Sequence, residues 1–251
     1  MSLLVTKNLV KHFGQTRAVD HVDFTVRERE MLGLIGSNGA GKTTLVNLIS
    51  GLFRPDNGSI VFAGRDVTHQ TINERIRAGI ARSFQLVNLF DYLTALENIV
   101  LTIFSRQGKT RSMLTLADRD RAVADEALEV LRQFGLESKA SLLAGGLAQG
   151  ERKLLDVAVA YALRPKLLFL DEPTSGVSTR EKAPIMDVVS AIVRSGGIAA
   201  VVIEHDMDVV FKYSDRIVAM HEGKILAEGT PDEIRRNDQV TATLIGPGVT
   251  R

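Results

Sequence analysis

The chain has 251 residues, 45% hydrophobic and 24% charged, a length that carries one large domain or a domain with an insert around a sizeable core. A net charge of +1 offers no overall attraction to nucleic acid or acidic membrane, and the lack of cysteine excludes disulfides and thiolate chemistry. The opening "MSLLVTKNLVKHFG" has no signal-peptide core and no apolar run is long enough to span a bilayer, so a soluble, cytosolic α/β protein is expected.

The first segments, "SLLVTKNLVKHFG" and "RAVDHVDFTVRER", alternate roughly with period two and predict strands. Phe13 is a large aromatic in this region. It either stacks on a purine or belongs to the core.

Next comes "MLGLIGSNGAGKTTLVNLISGL". The apolar run Met31 to Ile35 predicts a strand, and Leu45, Leu48 and Ile49 share one face of a following helix. Between them Gly36, Ser37, Asn38, Gly39, Ala40, Gly41, Lys42 and Thr43 fit G-x-x-x-x-G-K-[ST], the Walker A loop, in its strand–loop–helix setting. Thr44 continues the run into the helix. The glycines let backbone N–H groups turn around a β-phosphate without Cβ clashes. Lys42 brings a charge to the β- and γ-phosphates, and the Thr43 hydroxyl is a ligand for Mg²⁺.

"GSIVFAGRDV" predicts a strand pair about a glycine turn, and from about Leu86 to Leu163 the texture becomes helical. Leu86, Leu89, Phe90 and Leu93 would lie together if helical, forming either a docking surface with Asn88 and Asp91 or part of a local core. Thr94 and Glu97 form a capping box ahead of Ile99 and Val100. Asp118 to Phe134 is amphipathic, with Ala127, Val130, Leu131 and Phe134 on one face and Gly135 as its stop. "GGLAQGERKLLDVAVAYALRP" then sets glycines before another amphipathic helix, a second place to hold an anion.

In "KLLFLDEPTSG", Leu167 to Leu170 reads as a strand buried on both faces. Asp171 at its C-terminal end would hold Mg²⁺, and Glu172 would polarise an attacking water as general base. "IAAVVIEHD" is another such strand, ending in Glu204 and His205, and His205 can reach a γ-phosphate there. The tail predicts a short strand and a helix beginning near Pro231.

Over essentially its whole length the chain resembles the nucleotide-binding subunit of ATP-binding cassette (ABC) transporters. The resemblance rests on the Walker A loop, "ARSFQLVNLF", "LAQGE", "LLFLDEP", "SGVS" and His205, in this order. It implies a P-loop NTPase cassette of α/β class, with a mostly parallel core sheet, an N-terminal antiparallel β subdomain and an inserted helical subdomain. Residues 1–251 would be one ABC ATPase domain, with 1–85 and 164–251 as RecA-like core plus β subdomain and 86–163 as helical subdomain. It also implies Phe13 as the adenine-stacking residue and Gln85 as the Q-loop glutamine, serving catalysis and metal binding and linking the ATP site to the transmembrane partner. Leu147, Ala148, Gln149, Gly150 and Glu151 would be the signature loop, which caps the ATP of a second cassette in trans, a side chain at Gly150 facing that phosphate. Within the family, the ATPase subunits of branched-chain amino acid importers are the nearest match. Departures fall at Ala148 for the usual Ser, at Gln149, at Glu151 for Gln, at Val159 for Arg and at Ser178 for the D-loop Asp or Asn.

The resemblance implies an ATP- and Mg²⁺-dependent ATPase that energises a membrane transporter, most simply a branched-chain amino acid importer. Its expected partners are transmembrane permease subunits, a second cassette in a homo- or heterodimer and, indirectly, a solute-binding protein, with no nucleic acid. Its expected place is the cytoplasmic face of the inner membrane. Alternatives are a urea or amide importer, a lipopolysaccharide-export ATPase, or a soluble ABC ATPase without a transporter. The last usually carries two cassettes, long coiled coils or basic arms, and none is visible here.

Overall fold

Two stretches of unbroken apolar sequence, each too short for a helix, set the centre of the molecule. In a computed structural model, which describes residues 1–83, 89–108 and 121–245, these are β7 (Leu167–Asp171) and β8 (Ala199–Ile203), buried along their full lengths. They belong to a six-stranded sheet in which β3 (Met31–Gly36), β6 (Ile80–Ser83) and β9 (Arg216–His221) also run parallel, in the order β10-β9-β3-β8-β7-β6. Only β10 (Lys224–Gly229) is antiparallel. Parallel strands buried on both faces require apolar residues throughout, as these sequences supply.

A second sheet of four strands is antiparallel, in the order β2-β1-β4-β5. Its members are β1 (Ser2–Phe13), β2 (Thr16–Arg27), β4 (Asn57–Phe62) and β5 (Arg65–Asp66). Its inward residues Leu4, Leu9, Val22, Phe24, Ile60 and Phe62 share one buried cluster with α1 (Lys42–Ser50). This cluster anchors the β subdomain onto the helix that follows the Walker A loop.

Helix α2 (Ile72–Ala78), not foreseen from sequence, supplies Arg75 to the far end of α1. The Arg75 guanidinium is buried and donates to the carbonyls of Leu48, Ile49 and Thr68. It thereby satisfies acceptors that a helix C-terminus leaves open. Desolvation lowers its pKa to about 10.

On the other side, α3 (Ala95–Arg106), α4 (Arg121–Gln133) and α5 (Gln149–Ala162) pack around Ile99, Ile103, Phe104, Ala127, Leu131, Phe134 and Leu155. The capping box at Thr94 is present, with Glu97 N–H donating to Thr94 Oγ1 at 3.1 Å and Thr94 N–H to Glu97 Oε2 at 2.7 Å. Residues 89–93 are not helical, contrary to one reading of "LVNLFDYL". Thr94 is extended, with φ −67° and ψ 164°, so the cap that starts α3 ends any helix before it. Leu89 packs on the core, whereas Phe90 is exposed. Leu86 and Asn88 lie outside the described residues. Helices α6 (Thr179–Ser195), α7 (Met207–Tyr213), α8 (Pro231–Arg235) and α9 (Asp238–Val240) complete the regular elements used below. No described helix is long and apolar enough to cross a membrane.

Candidate active site

The C-terminal ends of β3, β7 and β8 meet the N-terminus of α1 around a pocket of about 320 Å³. Its lining includes Asn38, Gly39, Ala40, Gly41, Lys42, Thr43 and Thr44, with Asp171, Glu172 and His205 opposite and Ala18 of β2 at one side. Sequence reasoning placed ligands at these strand ends, and the pocket lies there.

The loop is shaped for an anion. Gly41 caps α1 with φ 100°, and a Cβ there would meet the Ala18 carbonyl oxygen at 2.3 Å, so no other residue fits. The first turn of α1 has no acidic residue, so its free N–H groups and positive dipole end face the pocket unopposed by an acid of that turn. Lys42 Nζ donates to the carbonyls of Gly36 at 2.5 Å and Ser37 at 3.1 Å, which tie the loop to the helix. Burial pushes the Lys42 ammonium below its ordinary pKa, while Glu172 and Asp171 oppose that shift. Gly36 and Ser37 therefore act on the pocket through Lys42 rather than by lining it.

Asp171 is buried and accepts from Arg82 Nη2, while Arg82 Nη1 donates to Asn47 Oδ1 at 2.5 Å. This chain of contacts joins β7, β6 and α1. Arg82 was not singled out from sequence, although a cation within the apolar strand "GIARS" is a signal for a buried acid partner. Thr43 and Asp171 line one pocket, and a hydroxyl with a carboxylate is the donor set that Mg²⁺ takes beside phosphate oxygens. Among the described residues no cluster of three acidic, His or Cys side chains offers an all-protein metal cage.

Glu172 has φ 50°, a left-handed conformation costly for a residue with a Cβ. Its N–H donates to the Ile203 carbonyl at 2.8 Å, and its Oε1 lies 3.2 Å from His205 Nε2. Beneath this pair Glu204 is buried and accepts from Thr174 N–H at 2.8 Å and Thr174 Oγ1 at 2.6 Å. The turns carrying Glu172 and His205 are thus fastened to each other.

Phe13 ends β1 and is 47% exposed, edge-on to Phe53 with ring centroids 5.4 Å apart, so it is not a core residue. It does not line the pocket, although Ala18 of the same hairpin does. Gln85 lies outside the described residues.

Leu147 to Glu151 also lie outside the pocket lining. Leu147 is buried, Ala148 is the N-cap of α5, and Gln149 begins the helix. Glu151 accepts from Ala148 N–H at 2.9 Å and pairs with Lys139 at 3.1 Å, so its carboxylate is engaged within its own chain. A Cβ on Gly150 would sit 3.3 Å from Ile185 Cδ1 of α6, so a side chain there would press on its own chain. Ser178 caps α6, its hydroxyl donating to Glu181 Oε2 at 2.5 Å, which gives this departure a local structural role.

A glycine loop leading into a helix, an acid pair and a histidine gathered at parallel strand ends define a P-loop nucleotide-binding protein. Residues 19–175 match the family model described as ABC transporter. The branched-chain amino acid transport ATP-binding protein LivG of Salmonella typhimurium is 34% identical over 249 residues, covering 97% of this chain and 98% of LivG. The ADP conformation of MJ1267, an ATP-binding cassette of an ABC transporter, superposes with a TM-score of 0.87 at 30% identity, over 98% of this chain and 99% of that one. The MJ0796 cassette, dimeric in a post-hydrolysis state with ADP and Pi, gives 0.76 at 26% identity over 91% and 98%. The chain belongs to the ABC transporter family and is an ATP-binding cassette, an ATPase.

Proposed function

We propose that this chain is the ATP-hydrolysing subunit of a branched-chain amino acid importer, held peripherally at the cytoplasmic face of the inner membrane. The observation that carries the hydrolytic part is the pocket that unites the Walker A loop with Asp171, Glu172 and His205. The substrate class follows LivG, similar over nearly the full length of both chains.

In this reading the loop N–H groups and Lys42 hold the β- and γ-phosphates. The oxygen of a water attacks the γ-phosphorus, the bond to the β–γ bridging oxygen breaks, and Glu172 takes the proton of that water. His205, beside Glu172, orients the γ-phosphate. Thr43, Asp171 and Gln85 would hold Mg²⁺, which when bound neutralises charge on the phosphate oxygens. Phe13 stacks on the adenine.

A second cassette completes the site by bringing the start of its α5 to the γ-phosphate, in a homo- or heterodimer. The permease docks on an apolar patch where two stretches meet: Gly145 N–H donates to the Asp91 carbonyl, and Ala144 N–H to that of Leu93. Phe90 and Tyr92 are 61% and 93% exposed there, beside half-exposed Leu142 and Leu143. A solute-binding protein would act on the permease, not on this chain.

Glu172→Gln tests the chemistry. Steady-state ATPase of the purified variant should fall on the order of a hundredfold or more, the share a positioned base contributes, with ATP binding retained. Turnover near the wild-type rate would remove Glu172 as the base. For docking, a cysteine at Asp91 should cross-link to a co-expressed permease, and an active complex without that cross-link would refute the patch.

A further inference from the structure

Lys153 stands one turn into α5 and is 3% exposed. An ammonium at that depth is strongly disfavoured unless its N–H groups find acceptors. It forms no ion pair with a described residue; its Nζ donates to the Glu172 carbonyl at 3.2 Å and to Ser175 Oγ at 2.8 Å. Both partners belong to the turn that carries the general base.

That turn needs holding. Glu172 sits at φ 50°, and this conformation directs its carboxylate to His205 Nε2 at 3.2 Å. Two of its backbone contacts come from the neighbouring strand β8 and from the turn itself: Glu172 N–H to the Ile203 carbonyl at 2.8 Å and Ser175 N–H to the Glu172 carbonyl at 3.1 Å. The Lys153 contact comes from a different part of the fold, the helix whose N-terminus follows the glycines Gly145 and Gly146. A small displacement of α5 would pull on the Glu172 carbonyl and rotate the carboxylate away from a reacting water.

We propose that Lys153 is a positioning residue for hydrolysis: through the Glu172 carbonyl and the Ser175 hydroxyl it holds the left-handed turn that aims the Glu172 carboxylate, and it makes the pose of that base depend on the position of α5 in the same chain. The proposal rests on the assignment of Glu172 as general base. It uses a contact within one chain, distinct from the contact of α5 with a second cassette.

Lys153→Met keeps the length and apolar stem but removes the donors, and Lys153→Arg keeps donors and charge. Each is compared with wild type for ATPase kcat and KM, for binding of a fluorescent ATP analogue and for thermal midpoint. Lys153→Met should lower kcat by about ten- to a hundredfold, the range that a misplacement near 1 Å brings, with KM and analogue affinity within about twofold. Lys153→Arg should recover part of the rate. In single-turnover assays, Lys153→Met added to Glu172→Gln should slow hydrolysis no further, because both changes act on one base. An unchanged kcat in Lys153→Met would overturn the proposal, as would an equal additional loss in the Glu172→Gln background. If Lys153→Met does not fold, Ser175→Ala, which removes one of the two acceptors, should still lower kcat at constant KM, and a wild-type kcat there would count against it. Near-normal turnover of Glu172→Gln itself would refute the base assignment, and the proposal with it.

Discussion

Phe13 is half-exposed at the end of a hairpin, its ring edge-on to Phe53 and Lys11 Nζ 5.8 Å from the ring centroid. A ring so placed contributes little to the core and is available to a flat ligand. Phe13→Ala should raise the ATP dissociation constant several-fold, since stacking of a base on an aromatic is worth about 1–3 kcal/mol. Its thermal midpoint should hardly change; a large drop with normal ATP affinity would mark Phe13 as structural. Residues also differ in how far the chain order discloses them. The Walker A loop is contiguous, and its spacing alone encodes a phosphate cradle. Arg82, Lys153 and Glu204 reach Asp171, Glu172 and Thr174 from 89, 19 and 30 positions away, and single residues at such separations leave no spacing to read.

At the scale of elements, the starts of α1 and α5 are built differently. The start of α1 is free of acids, and its far end is closed by Arg75. Arg75→Met would take the guanidinium donor from the Ile49 and Thr68 carbonyls, while the Leu48 carbonyl keeps the Gly51 N–H, and should cost about 1–3 kcal/mol in urea unfolding. A loss below a few tenths of a kcal/mol would show that water replaces the guanidinium. The start of α5 has Ala148 at the N-cap, which offers no side-chain acceptor, and relies on Glu151 reaching back to Ala148 N–H. That N–H, and after it the Lys139 ammonium, hold the Glu151 carboxyl below its ordinary pKa against partial burial. A carboxyl whose pKa is lowered on folding stabilises the fold above its unfolded value and loses that contribution as pH falls through the folded one. Glu151→Ala should therefore cost about 0.3–1.5 kcal/mol at neutral pH. The difference should begin to shrink as pH falls below the ordinary Glu value of about 4.3 and be lost once pH has passed below the lowered folded value, and a pH-independent difference would remove the electrostatic account. Strands buried on both faces and the capping box at Thr94 were readable because each is a local pattern, whereas the boxes at Thr71, Ser178 and Thr230 were not read. Helix α2 and strand β6 were missed because both are short, seven and four residues, and neither carries a long periodic signal.

At the scale of the molecule, the two helix starts belong to different places. One lines the pocket with the Walker A loop, and the other does not line it. In the proposed dimer the second start meets the pocket of another cassette, where expelled water would make the helix N–H groups effective against the γ-phosphate. Because a Cβ at Gly150 faces Ile185, a substitution there disturbs the packing of α5 on α6 and confuses the outcome. Ala148 is the better probe: it is exposed, it is the N-cap, and aspartate is a favoured N-cap residue. Ala148→Asp should thus keep or improve thermal stability while placing a carboxylate where the phosphate of the second cassette would come. The direct measurement is sedimentation velocity of Glu172→Gln protein with Mg²⁺, alone and combined with Ala148→Asp. The account predicts a dimer with ATP, a monomer with ADP, and a monomer with ATP once Ala148→Asp is added, although that variant still binds ATP. A combined variant that dimerises with ATP as fully as Glu172→Gln alone would contradict it.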